Sequence, residues 1–222
     1  DISGTYGGVT TDIGYTGFKF APDFVWLKDI GNSYHHILQD SVRGVNSKLA
    51  SDGTYEENDP SELALSYGQV TSFDSNGFTL GSGIQTNYSG RSYVAWCWYA
   101  PTSESISASG SRIASTVKKN VAAGFSIVKY TGNQTNATIG HGLSSAPEMI
   151  IAKSTTVAQN WAVYHKDVGN QYWLQLNSTS AKITEAIWQN TTPTDSVFSL
   201  NGNVVINKNS STNIAYCFHS VA

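Results

Sequence analysis

Residues 21–28 of the chain read APDFVWLK, and residues 146–153 read APEMIIAK. The two stretches lie 125 positions apart (147 − 22 = 125 for Pro22 and Pro147). Each begins with Ala-Pro and an acid, continues through apolar residues and ends in Lys. An internal match of this kind predicts that one structural module occurs twice in the chain.

Two further pairs of segments extend the match. Residues 78–80 (FTL) correspond to residues 198–200 (FSL), and residues 94–98 (VAWCW) correspond to residues 214–218 (IAYCF). Here the offset is 120 (198 − 78 = 120), so the first copy carries a net insertion of five residues (125 − 120 = 5). The 222 residues suffice for two modules of roughly 100 residues, each with its own core.

The apolar patterns favour strands in both copies. In residues 93–99 (YVAWCWY) both sets of alternate residues are apolar, which predicts a central strand covered on both faces. Turn sequences such as DSNG at residues 74–77 separate such runs. We therefore expect an all-β chain made of two tandem β-sandwich modules of the jelly-roll type. One short helix is expected to begin at Pro60, because residues 59–62 (DPSE) offer Asp59 as an N-cap, a proline at the first helical position and a glutamate at the third.

The module boundaries follow from these matches. The first module is expected at residues 1–101 and the second at residues 124–222, whose opening strand FSIVKY lies at residues 125–130. Residues 102–123 are rich in Ser and Ala, and we interpret them as a linker that contains a candidate crossing strand. The glycine-rich start of the chain matches FSIVKY poorly, so we expect the first module to lack its opening strand.

A sandwich without one strand exposes backbone groups and core residues that must be covered. The linker can cover them within the molecule, or a neighbouring copy can donate a strand by β-augmentation. The candidate strand donors are Ile2, Tyr6, Val9, Ile113 and Val117.

Composition limits the classes of partner and compartment. The net charge is −3, and no cluster of Lys and Arg exceeds Lys118-Lys119, which argues against a nucleic-acid or anionic-membrane surface. No apolar run approaches the roughly 18 residues that a membrane helix needs, and no signal peptide is recognised. Low charge and abundant hydroxyl and amide side chains favour an extracellular or virion location. Cys97 and Cys217 occupy equivalent positions and are expected to be buried free thiols.

No reaction centre is recognised in the sequence. A nucleophile elbow, a phosphate loop and a paired Cys/His signature are all missing. We therefore expect no enzyme activity, no cofactor and no metal site. The acidic residues between positions 52 and 62 lack the spacing of a calcium loop and are expected to be solvated.

Aromatic rings are better candidates for binding, because exposed Trp and Tyr rings form platforms for sugars. The candidates outside the obvious core strands are Tyr34, Tyr55, Tyr88, Trp161, Tyr172, Trp173 and Trp188. Six sequons mark candidate glycosylation sites at Asn87, Asn133, Asn136, Asn177, Asn190 and Asn209.

Several segments carry a family resemblance. In the first copy they are PDFVWLK at residues 22–28, DSVRG at 40–44, SFDSNGFTLG at 72–81 and YVAWCW at 93–98; in the second they are GFSIV at 124–128, IGHGL at 139–143, NWAVYHK at 160–166 and YCFH at 216–219. Together they resemble a domain-of-unknown-function family found, often in tandem, in tail and other structural proteins of aquatic bacteriophages. The resemblance implies a β-sandwich in a virion or extracellular structural protein, with no catalytic residues to carry over.

Two functions are compatible with these features. The first is a non-enzymatic structural subunit that binds further copies of itself head to tail and builds a fibre or a virion tail appendage. The alternative is a lectin-like, carbohydrate-binding adhesion module whose partners are glycans.

Overall fold

The computed structural model describes residues 2–3 and 13–221, and the chain is all-β. It divides into two compact units, unit 1 at residues 1–99 and unit 2 at residues 100–222. In the described part of the chain, the strands are interrupted by two short helices, a 3-10 helix at Leu65–Tyr67 and α1 at Val204–Asn207. None of the helices in these described ranges is long and apolar enough to cross a membrane.

Unit 1 consists of two antiparallel sheets. Its strands are β1 (Ile2–Ser3), β2 (Ile13–Thr16), β3 (Phe24–Asp29), β4 (Ile37–Asp40), β5 (Leu49–Ala50), β6 (Val70–Asp74), β7 (Gly77–Leu80) and β8 (Ser92–Trp98). The larger sheet has the order β1-β8-β3-β4-β5, and the smaller one has the order β2-β7-β6. A core that includes Val25, Leu27, Phe78 and Leu80 is contributed by both sheets.

Unit 2 has the same kind of architecture with a larger main sheet. Its strands are β9 (Thr102–Ile106), β10 (Arg112–Ile113), β11 (Ser115–Asn120), β12 (Phe125–Thr131), β13 (Ala137–Gly140), β14 (Met149–Ser154), β15 (Ala162–His165), β16 (Tyr172–Gln175), β17 (Ile183–Thr184), β18 (Val197–Leu200) and β19 (Thr212–Phe218). The main sheet has the order β17-β16-β15-β14-β19-β12-β11-β9, and the small sheet has the order β10-β13-β18. Core residues from both sheets include Val128, Cys217 and Phe198.

The two units use the same strand pairings at positions that the sequence offsets relate. Trp26 of β3 lies opposite Trp96 of β8, and Ile151 of β14 lies opposite Tyr216 of β19. The strand pairs β3–β4 and β14–β15 also correspond. Cys97 and Cys217 are both free thiols, and burial raises the pKa of each to about 12.

The segment expected as a linker is part of unit 2 instead. Residues 102–120 form β9, β10 and β11, and β11 pairs along its length with both β9 and β12. Its hydroxyl-rich composition reflects exposure, since β9 is largely exposed to solvent at the edge of the sheet. The helix expected after residue 59 is also not formed. The Asp59 carboxylate accepts bonds from the backbone N–H groups of Ser61 and Glu62, as a cap would, but the chain continues as a turn.

His141 fixes the turn after β13 and is fully buried. Its Nε2 lies 3.1 Å from the Thr194 carbonyl oxygen, and its Nδ1 accepts a bond of 3.2 Å from the Leu143 N–H. This pattern selects the neutral ring with its hydrogen on Nε2. Burial lowers the pKa of His141 to about 4.

We expect His141 to make unit 2 sensitive to acid. Between pH 6.5 and 4 the unfolded chain binds a proton on this ring that the folded chain does not, so the free energy of unfolding falls by about 3 kcal/mol over that range. His141→Gln retains a donor for Thr194 and does not titrate. Urea unfolding at pH 7 and pH 4.5 should therefore show a smaller acid loss in His141→Gln than in the wild type. Equal losses in the two proteins would contradict the assignment.

Candidate functional site

The main feature of unit 1 is the free side of β8. This strand pairs with β3 from Tyr93 to Trp98, whereas on its other side β1 reaches only Tyr93 and Ser92. Among residues 2–3 and 13–221, no strand pairs with this second side of residues 94–97. We call this side of residues 94–97 the open edge.

The equivalent strand of unit 2 has two full neighbours. Strand β19 pairs with β14 on one side and with all seven residues of β12 on the other. Ile2 lies opposite Tyr93, and Tyr130 lies opposite Asn213, the position 120 residues after Tyr93. Strand β1 therefore occupies the place of only the last two residues of β12.

Backbone hydrogen bonds show which groups face the open edge. The Ile30 N–H donates to the Ser92 carbonyl oxygen at 3.0 Å, which extends the ladder between β3 and β8. In an antiparallel pair alternate residues bond to the same neighbour, so Ser92 and Trp96 bond towards β3. The N–H and C=O groups of Ala95 and Cys97 consequently point towards the open edge.

In unit 2 the equivalent backbone N–H and C=O groups bond to a neighbouring strand. The His219 N–H donates to the Gly124 carbonyl oxygen at 2.9 Å, which places the backbone groups of Ala215 and Cys217 towards β12. A buried central strand in one unit thus corresponds to an edge strand in the other.

Side-chain exposure follows the same difference. The Trp96 side chain is 46% exposed, whereas Tyr216 at the equivalent position is 1% exposed. On the core face, Ala95 and Cys97 are half-buried against the unit 1 core. Ala95, Trp96 and Cys97 therefore form an apolar strip at the edge of the sheet.

Trp96 is oriented by a second indole. Its ring meets the Trp26 ring edge to face, with centroids 6.2 Å apart. The Trp26 Nε1–H donates to His36 Nδ1 at 3.2 Å, and burial lowers the pKa of His36, which favours the neutral ring that accepts this bond. The exposed indole therefore lies on an ordered aromatic surface.

The open edge lacks the usual protection of edge strands. Residues 92–98 (SYVAWCW) contain no charged side chain and no proline, the residues that commonly prevent edge-to-edge pairing. A strand with these properties can bind another extended segment through main-chain hydrogen bonds.

The expected strand donors have places within their own chain. Ile2 pairs with Tyr93, and Ile113 of β10 pairs with Ile139 of β13. Val117 is buried in β11, between β9 and β12. Tyr6 and Val9 lie outside the described residues.

The candidate sugar-binding aromatics separate into two groups. Trp161, Trp173 and Trp188 are at most 3% exposed, so they cannot act as platforms, and that expectation is corrected. Their indoles are buried, and Trp188 packs edge to face on Tyr164 and Phe198. These residues lie outside the obvious strands, which is why the sequence pattern did not mark them as core.

Two other candidates meet at Arg91. The guanidinium carbon lies 4.6 Å from the centroid of the Tyr34 ring and 4.5 Å from that of the Tyr88 ring. Arg91 also donates to the Ile84 carbonyl oxygen at 3.1 Å and lies 3.4 Å from Asp29 Oδ2. Tyr88 is 47% exposed, so the stack presents one ring face to solvent. A cavity of ≈ 620 Å³ is lined by residues 30–34, which include Tyr34.

The remaining two tyrosines have local partners. Tyr55 contacts the ring of His35 edge to face at 5.2 Å. Tyr172 is half-buried, and Lys182 Nζ lies 3.8 Å from its ring centroid.

The acidic segment of unit 1 is neutralised internally. His35 Nδ1 lies 2.9 Å from Asp52 Oδ2, and His35 Nε2 lies 3.2 Å from Glu62 Oε2. The hydrogen bond to Asp52 raises the pKa of His35 despite partial burial, which favours the charged ring between the two carboxylates. Glu57 pairs with Arg43 at 2.9 Å. Within the described ranges, no three His, Cys, Asp or Glu side chains are arranged to hold a metal ion.

The sequons differ in accessibility. Asn133, Asn136, Asn190 and Asn209 are exposed, whereas Asn87 and Asn177 are half-buried. The Asn177 side chain accepts a bond from the Trp161 N–H and donates one to Asn160, both at 2.9 Å. A glycan on Asn177 would disrupt these two bonds, so the four exposed positions are the better acceptors.

Amide hydrogen exchange tests the open edge directly. In dilute solution, the amides of Ala95 and Cys97 should exchange on the order of 100-fold or more faster than those of Ala215 and Cys217, because only the latter bond to a neighbouring strand. The amide of Trp96, which bonds to β3, is the internal control and should be protected. Equal protection of both pairs would show that the edge is covered within one molecule.

Comparison with known proteins places the chain in a family. A family model described as a domain of unknown function (DUF7483) matches residues 3–222. No curated protein and no solved structure matches the chain. Because the family match spans nearly the whole sequence, the chain belongs to this family. The family description names no virus or host, so the link to bacteriophage tail proteins stays a proposal.

Proposed function

We propose that the chain is a non-enzymatic structural subunit that self-associates through the open edge of unit 1. Its product would be an extracellular fibre or a virion appendage such as a bacteriophage tail part. The observation that carries this proposal is the contrast between two equivalent strands: β19 lies between two neighbours, whereas residues 94–97 of β8 have no neighbour on one side among the residues that the structure describes.

The chemistry of the open edge supports association with another strand. Ala95 and Cys97 offer two N–H donors and two C=O acceptors, and Trp96 adds an exposed indole. An uncharged, apolar edge of this kind is rarely left open in a protein that works as a monomer. Another strand would cover both the polar backbone groups and the half-buried core residues.

The surface composition supports an extracellular or virion setting. Charged residues make up 13% of the chain, and strand β9 exposes Thr and Ser hydroxyls beside one carboxylate, that of Glu104. The repeated strand pairings of the two units are also what a duplicated structural module would give.

Substitution of Trp96 tests the role of the open edge in assembly. We expect the wild type to form assemblies in light scattering and negative-stain microscopy, and Trp96→Lys to stay near the 23.9 kDa of one chain. Lys at this position places a charge where another strand must pack. Trp96 is half exposed, so folding should be retained, which circular dichroism and thermal unfolding can verify.

The matched control is Val121→Lys, which changes an exposed apolar residue in the turn before β12. This variant should assemble like the wild type. A monodisperse wild-type monomer, or assembly of Trp96→Lys equal to that of the wild type, would contradict the proposal.

Glycan binding is the second candidate function, and the Tyr34–Arg91–Tyr88 stack favours it. The exposed Tyr88 ring supplies an apolar face, and the guanidinium beneath it fixes the ring orientation. Asn32 lines the adjacent cavity; its side-chain nitrogen donates to Asp29, and its side-chain oxygen is an acceptor of the kind that bonds to sugar hydroxyls. The two functions are compatible, because a structural subunit can also carry a binding site.

A glycan array with Tyr88→Ala tests this second function. If the stack binds sugars, the substitution should weaken binding about tenfold or more, because it removes the stacking face. Tyr99→Ala removes another exposed ring, which contacts Phe20 instead, and should bind like the wild type. Absence of wild-type binding to any glycan, or equal binding by Tyr88→Ala, would reject the site.

A further inference from the structure

The geometry points to a specific partner for the open edge. We propose that β8 of one copy pairs antiparallel with β8 of a second copy, with the two Trp96 residues facing each other across a two-fold axis. This inference rests on the proposed self-association and names its contact. The contact is symmetric, unlike the head-to-tail arrangement expected from the sequence. By itself it closes to a dimer, so a fibre would be built from such dimers through a second contact.

The available length of the edge has Trp96 at its centre. One end is set by Ile2, which pairs with Tyr93. The other end is set by Trp98, where β8 ends. Between these limits the outward-facing backbone groups are those of Ala95 and Cys97, which lie symmetrically about Trp96, so a second copy turned by 180° presents the same two residues. Beyond Trp98 the second copy leaves the strand, opposite the point where Ile2 pairs with Tyr93.

The hydrogen-bonding pattern is self-complementary in this register. Ala95 lies opposite Cys97 of the second copy, and these are the residues whose backbone groups face the open edge. Each Ala95–Cys97 pair exchanges two bonds, so the two pairs together form four N–H···O=C bonds. If one strand shifted by one residue, Ala95 and Cys97 would lie opposite residues whose backbone groups already bond to β3. The hydrogen bonds between the two copies could then not form.

The side chains fit the same register. The Trp96 residues form a non-hydrogen-bonded pair, in which the Cα atoms are about 4.5 Å apart and the side chains are closest. Both indoles would cover each other on the face where Trp26 already contacts Trp96. On the core face the opposed residues are Ala95 and Cys97, which are small enough to let two sheets join. No like charges meet, because residues 94–98 contain no charged side chain.

Other strands fit the edge less well. Ile113 and Val117 are already paired within unit 2. Strand β9 has an exposed outer side, but it carries Glu104, which forms an ion pair with Lys119. A donated strand that took the place in unit 1 that β12 has in unit 2 would have to turn away where Ile2 pairs with Tyr93. The second copy of β8 meets none of these obstacles.

Disulfide trapping tests the register. In a Cys97→Ala, Cys217→Ala background, Trp96→Cys places one thiol from each copy at the axis, within the Cα separation of about 4.4–6.8 Å that a disulfide requires. Mild oxidation should convert more than half of the chain to a covalent dimer on a non-reducing gel. Val94→Cys is the matched control: the two thiols would lie four residues apart along the strands, about 13 Å, and should not link.

Wild-type protein supplies an independent readout, which separates this inference from the proposed function. As the concentration rises, the amides of Ala95 and Cys97 should become protected from exchange while that of Trp96 stays protected throughout.

If the wild type assembles and these amides are protected but Trp96→Cys does not link, another segment occupies the edge, and the symmetric pairing is overturned while self-association stands. If Val94→Cys links as well as Trp96→Cys, the register is wrong. If the wild type is monomeric at about 100 µM, a concentration at which contacts of micromolar affinity form, both proposals fail.

Discussion

A strand with apolar residues on both faces needs a neighbour on each side, and this constraint explains how the two units differ. In unit 2, β19 has β14 and β12 as neighbours, and its inner residues are buried. In unit 1, β8 has β3 along its length but β1 for two residues only. The same sequence pattern therefore gives a closed core in one unit and an open edge in the other. Tyr216 is 1% exposed and Trp96 is 46% exposed at these equivalent positions.

Most strands could be predicted because their patterns are local. Runs such as residues 24–27 and 93–98 are short, apolar on both faces and bounded by turn residues. Residues 102–120 were not recognised as three strands, because β9 is exposed and its polar sequence reflects its position at the edge of a sheet. The capping residues at 59–62 predicted a helix that does not form, since a cap can equally satisfy the backbone of a turn.

The open edge was partly predictable, because the poor match of the first residues to FSIVKY indicated that a strand was missing from unit 1. The contacts around Arg91 were not, since Tyr34 and Tyr88 are distant in sequence and meet only in the folded unit. The burial of Trp161, Trp173 and Trp188 was not predicted either. Trp188 packs on Tyr164 and Phe198, which are distant in sequence, and strand periodicity does not report such contacts. The burial of Lys48 could not be predicted from the sequence either. Lys48 is fully buried at the position that matches Trp173. Its Nζ donates to Ala64 O, Gly68 O and Gln85 Oε1.

The absence of charge from residues 92–98 has a consequence for the conditions in which copies can associate. Contacts made by ion pairs weaken as salt screens them. A contact made by backbone hydrogen bonds and indole rings does not weaken by such screening. Salts that are excluded from the protein surface, such as sulfate, strengthen the burial of its apolar surface. Such a contact would hold at least as well in strongly saline surroundings as in dilute ones. The bare edge of β8 would thus serve a particle that must keep its shape while the ionic strength around it changes.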